Sequence, residues 1–276
     1  RFIKTHWAMT SILTGVVIQV RELLDHDRMY TFYTRERGLL RVIARGTRKF
    51  LSKLSPHAMP FSELTIMIAH GKLIPKLAGV ETKQDFRGMR EDLNRLVLGL
   101  SLHEIVRETV REGVADHALY DYLIEAYRWL STLSALSSER LRFISHGLTL
   151  KWLGLVGLGP KVDACVVCSR PTNEFRLLWL STAAGGVICN ECMAKDHSRF
   201  ADAEKVSEDI VAALRWVAEA PMNAMLGVAL LPHLSALGTI QSAFSAYHLA
   251  DDRQVTKFLS SINYDEYKHT EPVLVS

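Results

Sequence analysis

All four cysteines of the chain fall into one pattern: Cys165-x-x-Cys168, twenty residues, then Cys189-x-x-Cys192. Two such knuckles at this separation match the spacing of a tetrahedral four-thiolate metal site. Thiolates are soft ligands that suit zinc, with iron as the alternative. Four protein ligands fill the coordination sphere and leave no position for an activated water. The expected metal, Zn2+, is therefore structural rather than catalytic. Two disulfides, or four buried thiols, are the other readings. Disulfides call for an oxidising compartment. Gly185-Gly186, just before the second knuckle, permits the tight hairpin that would bring the ligands together.

The second feature that could do chemistry is charge. The 276 residues carry a net charge of +3, but its distribution is uneven. Residues 1–80 hold 13 Lys and Arg against 5 Asp and Glu, while the rest hold 20 against 25. Arg28, Arg35, Arg37, Arg41, Arg45, Arg48, Lys49 and Lys53 are opposed within their stretch only by Glu36. Such a run is either a solvated face or a polyanion footprint, in which cations displace counterions from phosphates. Tyr30, Phe32, Tyr33 and Phe50 lie in the same stretch and are candidates for stacking unpaired bases.

Enzyme signatures are missing. Gly154-Leu-Val-Gly-Leu-Gly-Pro160-Lys161 imitates a phosphate-binding loop, but Pro160 stands where the lysine is needed and the segment follows a helical pattern. His103-Glu104 opens like a zinc-protease helix, yet position 107 is Arg, and His103 lies on an apolar stripe as a core residue would. His26, His57, His70 and His146 stand alone, and Tyr127 and Trp152 read as core. No enzymatic activity is expected.

These residues need elements to position them. The first 80 residues read as β: Ser11–Val20, Met29–Thr34, Leu39–Ala44, Phe61–Ala69 and Lys72–Val80. In the first, Ile12, Thr14, Val16, Ile18 and Val20 share one face; in the third, Leu40, Val42 and Ala44 face away from Arg41 and Arg45. Five short strands suggest a small closed barrel, of OB or SH3-like type. The period then becomes helical, with Phe86, Met89, Leu93, Leu96, Leu100 and His103 on one stripe. Asp116, Ser138 and Ser207 can cap further helices, and a short one is expected around Val255–Ile262. The fold class is α+β. The expected domains are 1–80 (barrel), 81–160 (helical, first part), 161–200 (four-cysteine finger) and 201–276 (helical, second part and tail).

No apolar run reaches the ~18 residues of a membrane span. Met225–Gly238 and Phe143–Gly159 are interrupted by Pro232 and His233 or by His146 and Lys151. Arg1 and Lys4 before Trp7–Val20 imitate an export signal, but Thr10, Ser11, Thr14 and Gln19 interrupt the run, which reads as a strand. Met9 is an expected natural start, with residues 1–8 in question.

Several residues together resemble the bacterial RecO recombination mediators. They are Phe32-Tyr33-Thr34-Arg35-Glu36-Arg37-Gly38, then Ala44-Arg45-Gly46-Thr47-Arg48-Lys49, Ser52 and Pro60-Phe61. The two Cys-x-x-Cys pairs around Gly185-Gly186, and Tyr247-His248-Leu249 with Lys257-Phe258-Leu259, continue the likeness over about residues 11–262. Ala250, where the family usually has Gly, and Thr256-Lys257 depart from its pattern.

The resemblance implies an N-terminal OB-fold, a helical domain and an inserted zinc finger. It implies a cytoplasmic, nucleoid-associated DNA-repair protein that binds single- and double-stranded DNA and anneals complementary strands. It also implies help in loading RecA onto DNA coated by single-stranded DNA-binding protein. Implied partners are RecR, the acidic tail of single-stranded DNA-binding protein and, in some settings, RecF, with no membrane. Arg35, Arg37, Arg41, Arg45, Arg48, Lys49 and Lys53 are then the candidate DNA contacts, with Gly46 allowing close backbone approach. The competing reading is an OB and zinc-ribbon interaction module in RNA binding or transcription.

Overall fold

A computed structural model describes residues 10–23, 27–45, 58–70, 74–228 and 233–249. The first strands are β1 (Thr10–Glu22), β2 (Arg28–Thr34), β3 (Gly38–Ala44), β4 (Ser62–Ala69) and β5 (Lys76–Asp85). They close in the order β1-β2-β3-β5-β4, with antiparallel pairs except for a parallel contact between β3 and β5. Mostly β-branched and aromatic side chains at alternate positions fill the interior, among them Val17, Phe32, Val42, Ile66 and Ile68, with Leu64 between. The β3–β5 closure rests on one register pair, Ile43 with Lys76, and the start of β3 bridges to Glu112.

β1 does not present the expected face. Leu13 and Val17 point into the barrel, whereas Ile12 is 66% exposed. The strand is apolar on both sides because its outer side is used as well. Val16 and Ile18 are buried there, and helix α2 packs on this strand. A register shift between Val17 and Gln19 also breaks the alternation. β5 starts later and runs further than its sequence pattern suggests.

The expected single helix from Phe86 is two: α1 (Gly88–Glu91) and α2 (Leu93–Thr109). Asp92 separates them because its carboxylate accepts from the Arg95 N–H at 3.0 Å and caps α2. Leu93, on the expected apolar stripe, is therefore 70% exposed. Asp116 caps α3 (His117–Leu130) as anticipated, accepting from Leu119 N–H at 3.0 Å. Both helices close over one side of the barrel. Phe61 stacks on His103 (4.8 Å between centroids) and meets Tyr127 edge-on (5.4 Å). His103 is a core residue, 4% exposed and 2.5 Å from the Tyr127 hydroxyl. Burial, then the charge of Arg107, holds its pKa down at about 3. His70 and His146 have partners, Ser11 and Gln241.

Packing divides the chain into two compact units, Arg1–Leu133 and Ser134–Ser276. The first holds the barrel and α1–α3. The second is built on α4 (Ser138–Leu155), α6 (Glu208–Glu219) and α7 (Leu234–His248). Ser137, not Ser138, caps α4. Ser207 caps α6 as expected. Leu141, Ile144, Leu148 and Trp152 of α4 are buried, while Leu155 at its end is exposed. Between α4 and α6 runs a three-stranded sheet in the order β7-β6-β8: β6 (Leu178–Ser181), β7 (Gly186–Cys189) and β8 (Glu204–Val206), with a short α5 (Asn190–Lys195). The helix expected at Val255–Ile262 lies outside the described residues, as do His26 and His57. Among the described residues no helix is long and apolar enough to cross a membrane.

Candidate metal centre and basic face of the barrel

The two Cys-x-x-Cys pairs meet. Cys165 and Cys168 lie on a loop, Cys189 ends β7, and Cys192 lies on α5. All four Sγ atoms fall within 4.8 Å of one another, and Cys168 and Cys189 are 3.9 Å apart. A metal bonded to four thiolates at about 2.3 Å with tetrahedral angles places the sulfurs about 3.8 Å apart, so the cluster fits such an ion. A disulfide needs sulfurs about 2.05 Å apart, and all four cysteines are free.

Local backbone explains the convergence. The first knuckle turns at Ser169, whose φ is +61°, with its N–H donating to Cys165 O at 2.8 Å. Cys165 N–H donates to Arg170 O at 2.9 Å. Gly185 takes φ +78°, and a Cβ on Gly186 would stand 2.3 Å from Lys161 O. The glycine pair is thus required both for the hairpin and for laying β7 against the first knuckle. Cys189 N–H donates to the Cys165 sulfur at 3.4 Å, as backbone amides do toward a charged thiolate.

The thiols are unequal. Cys165, Cys189 and Cys192 are buried and Cys168 is exposed. Donation from the Arg170 backbone and guanidinium draws the Cys168 thiol down to about 6, while burial pushes Cys192 up to about 12. Buried thiolates this close would repel one another; a divalent cation at their centre removes that conflict. Arg215 of α6 ties the loop down, donating to Asp163 (2.7 Å), Thr172 Oγ1 (3.1 Å) and Val162 O (3.3 Å).

The basic residues separate into different roles. Arg35 sits in the β2–β3 turn and pairs with Asp121 of α3 at 3.0 Å. Glu36 beside it accepts from Thr14 N–H at 3.0 and 3.1 Å. These contacts pin the turn, so Arg35 acts at least partly as a strut. Arg37, Arg41 and Arg45 are exposed. Arg48, Lys49 and Lys53, with Gly46, lie outside the described residues.

Register adds two cations that the sequence run does not reveal. Arg21 of β1 stands opposite Met29 of β2, which stands opposite Ile43 of β3, which aligns with Lys76 of β5. This rung faces outward, because Tyr30 and Val42 of the next one fill the barrel. Arg41 and Arg45 are two residues either side of Ile43. Among the described residues no ion pair engages Arg21, Arg37, Arg41, Arg45 or Lys76. Arg21 precedes the basic run and Lys76 follows it by 23 residues, and strand pairing brings both beside Arg41 and Arg45.

The aromatic rings expected to stack on bases do not do so. Tyr30, Phe32 and Tyr33 are 1%, 0% and 0% exposed. Tyr30 and Phe32 fill the barrel, and Tyr33 donates to Asp116 O at 3.2 Å. Their bulk serves the core. Phe50 lies outside the described residues.

Comparison with known proteins agrees on both halves of the chain. Residues 9–86 match the family model described as recombination protein O N terminal, and residues 90–255 match that for its C terminal. The chain is similar to the DNA repair protein RecO of Desulforamulus reducens, 26% identical over 91% of this chain and 94% of that one. It is also similar to that of Gloeobacter violaceus, 30% identical over 76% and 77%. A third, from Moorella thermoacetica, is 25% identical over 91% of each chain.

Proposed function

The chain belongs to the RecO family of DNA repair and recombination proteins, and on that premise we propose that it is a recombination mediator without catalytic activity. It binds single- and double-stranded DNA, anneals complementary strands and, with RecR, helps load RecA onto strands coated by single-stranded DNA-binding protein. The barrel is read as an OB-fold, which its five strands in the order β1-β2-β3-β5-β4 support.

The observation that carries this reading is the outward cluster of Arg21, Arg41, Arg45 and Lys76, with Arg37 beyond it, unpaired among the described residues. Cations not engaged in ion pairs are free to neutralise phosphates, releasing counterions and giving salt-sensitive, sequence-tolerant affinity. Two strands lying on one such face repel each other less, which speeds their pairing. Arg35 and Glu36 keep the β2–β3 turn fixed, so Arg37 starts from a defined position.

The four thiolates of Cys165, Cys168, Cys189 and Cys192 would hold zinc. Bound there, the ion supplies fold stability and no reactive position, since protein ligands complete its sphere. The module is then a scaffold stitched to α6 by Arg215.

The test is duplex formation from two complementary labelled oligonucleotides without ATP, at several salt concentrations. A parallel set is coated beforehand with single-stranded DNA-binding protein. Salt-sensitive acceleration retained on coated strands is the expected result. Binding without annealing would transfer the protein to the OB and zinc-ribbon interaction module instead. No binding at low salt would remove the barrel face from any role in DNA contact.

A further inference from the structure

The charge on the barrel does not explain the two apolar side chains in its midst. Met29 and Ile43 are cross-strand neighbours on β2 and β3, and both are half-buried. They point outward, since Tyr30, Val42 and Ala44 beside them fill the interior. Further along the same outer face, Val16 and Tyr33 are fully buried beneath the helical side of the unit. The Met29–Ile43 end keeps part of its apolar surface in solvent.

That surface is ringed by cations. Arg21 and Lys76 close the rung on either side, and Arg41 and Arg45 stand along β3 above and below. With strands about 4.8 Å apart and about 3.3 Å per residue, each of these backbone positions lies within roughly 10 Å of Ile43. A ligand that covers this patch must be apolar at its centre and anionic on both flanks. A duplex meets the second condition only, since its phosphates face outward and its bases are stacked inside. An unpaired strand meets both, because its bases can turn to one side and its phosphates continue past either flank.

We propose that Met29 and Ile43 form a base-contacting floor by which the barrel distinguishes unpaired strands from duplex. The inference rests on the DNA-binding reading above and adds a specificity element to it. Tyr30, Phe32 and Tyr33 are buried, so among the described residues of these strands no ring offers bases a platform, and this pair takes that place. Cations on both sides of the floor favour a polyanion that runs across it over an acidic peptide whose charge lies at one end.

The experiment measures affinity by fluorescence anisotropy across a salt series with three probes of equal length. These are an unstructured mixed-sequence strand, the same strand built of abasic sites, and a blunt duplex. The proteins are the intact chain, M29S/I43S, M29Q/I43T as a fold control that keeps side-chain length at 29 and β-branching at 43, and R41E/R45E. Melting curves accompany each. Loss of apolar contact should weaken M29S/I43S and M29Q/I43T on the mixed strand roughly three- to tenfold. Duplex affinity and the salt slope should stay unchanged, because no phosphate contact is lost. The intact chain should bind the abasic strand about as weakly as M29S/I43S binds the mixed one. Equal losses on strand and duplex, or no loss on the strand in a folded variant, would overturn the floor. So would weakening toward an acidic peptide with strand affinity unaltered. If R41E/R45E instead leaves every affinity and slope unchanged, the DNA-binding reading itself fails, whatever the floor variants do.

Discussion

The barrel and the four-cysteine module are both small β-structures, yet different physics holds each together. The barrel has strands of 7 to 13 residues and a closed interior of Val17, Phe32, Val42, Leu64, Ile66 and Ile68. The module has strands of 4, 4 and 3 residues, tied by polar stitches such as Arg215 to Asp163 and Asp202 to Ser181. Three such short strands bury too little on their own account for independent stability. Removing its ligands should therefore undo the module, whereas no single contact is so decisive in the barrel. The barrel can then spend its outer face on charge, and the module cannot spare its cysteines for chemistry.

Four outcomes would break or sharpen that contrast. The largest is loss of the metal. Structural zinc contributes about 10–16 kcal/mol in small fingers, far above ordinary side-chain effects. Cys189→Ser or a strong chelator should collapse the module, with zinc content and circular dichroism as readouts. Single-strand binding by the barrel should persist. Smaller is Phe32→Ala, which empties a fully buried ring site and should cost about 3–5 kcal/mol in urea unfolding of the first unit. If chelation cost no more than this, the contrast would be wrong.

Acid provides the third. His103 is buried neutral, with its pKa held near 3 against 6.5 in the unfolded chain. Between these values the unfolded state binds the extra proton, so this contribution is intact above pH 6.5 and is lost as pH falls toward 3. Unfolding midpoints of the first unit should decline over that window, and less steeply in His103→Gln. Equal slopes would remove His103 from the account. The smallest is a cap: Asp92→Ala should cost about 1 kcal/mol by freeing the N–H of Arg95. A negligible change would mean that packing alone sets the break between α1 and α2.

Much of this organisation is legible in the sequence, for local reasons. The cysteine spacing, the caps at Asp116 and Ser207, and the turn at Gly38 depend on residues close together in the chain. Gly38 takes φ +63°, a conformation the turn itself asks of glycine. What escapes is set by distant contacts. β1 is apolar on both faces, so alternation cannot say that Leu13 rather than Ile12 is inside. Asp92 sits within a periodic apolar stripe and yet ends a helix. The aromatic residues near the arginines look like base platforms until strand pairing turns Tyr30 and Phe32 inward. Arg21 and Lys76 join Arg41 only through register across β2 and between β3 and β5.

The account stands most directly on the outer face of the barrel. Its test is the affinity of the metal-loaded chain for a single strand as a function of salt, beside R41E/R45E. Each lost phosphate contact on a single strand should flatten the log–log slope by about 0.7, so the double variant should lose about 1.4. Affinity should fall for every sequence while melting stays unchanged. The same slope and affinity in a folded R41E/R45E would contradict the assignment of DNA contact to this face.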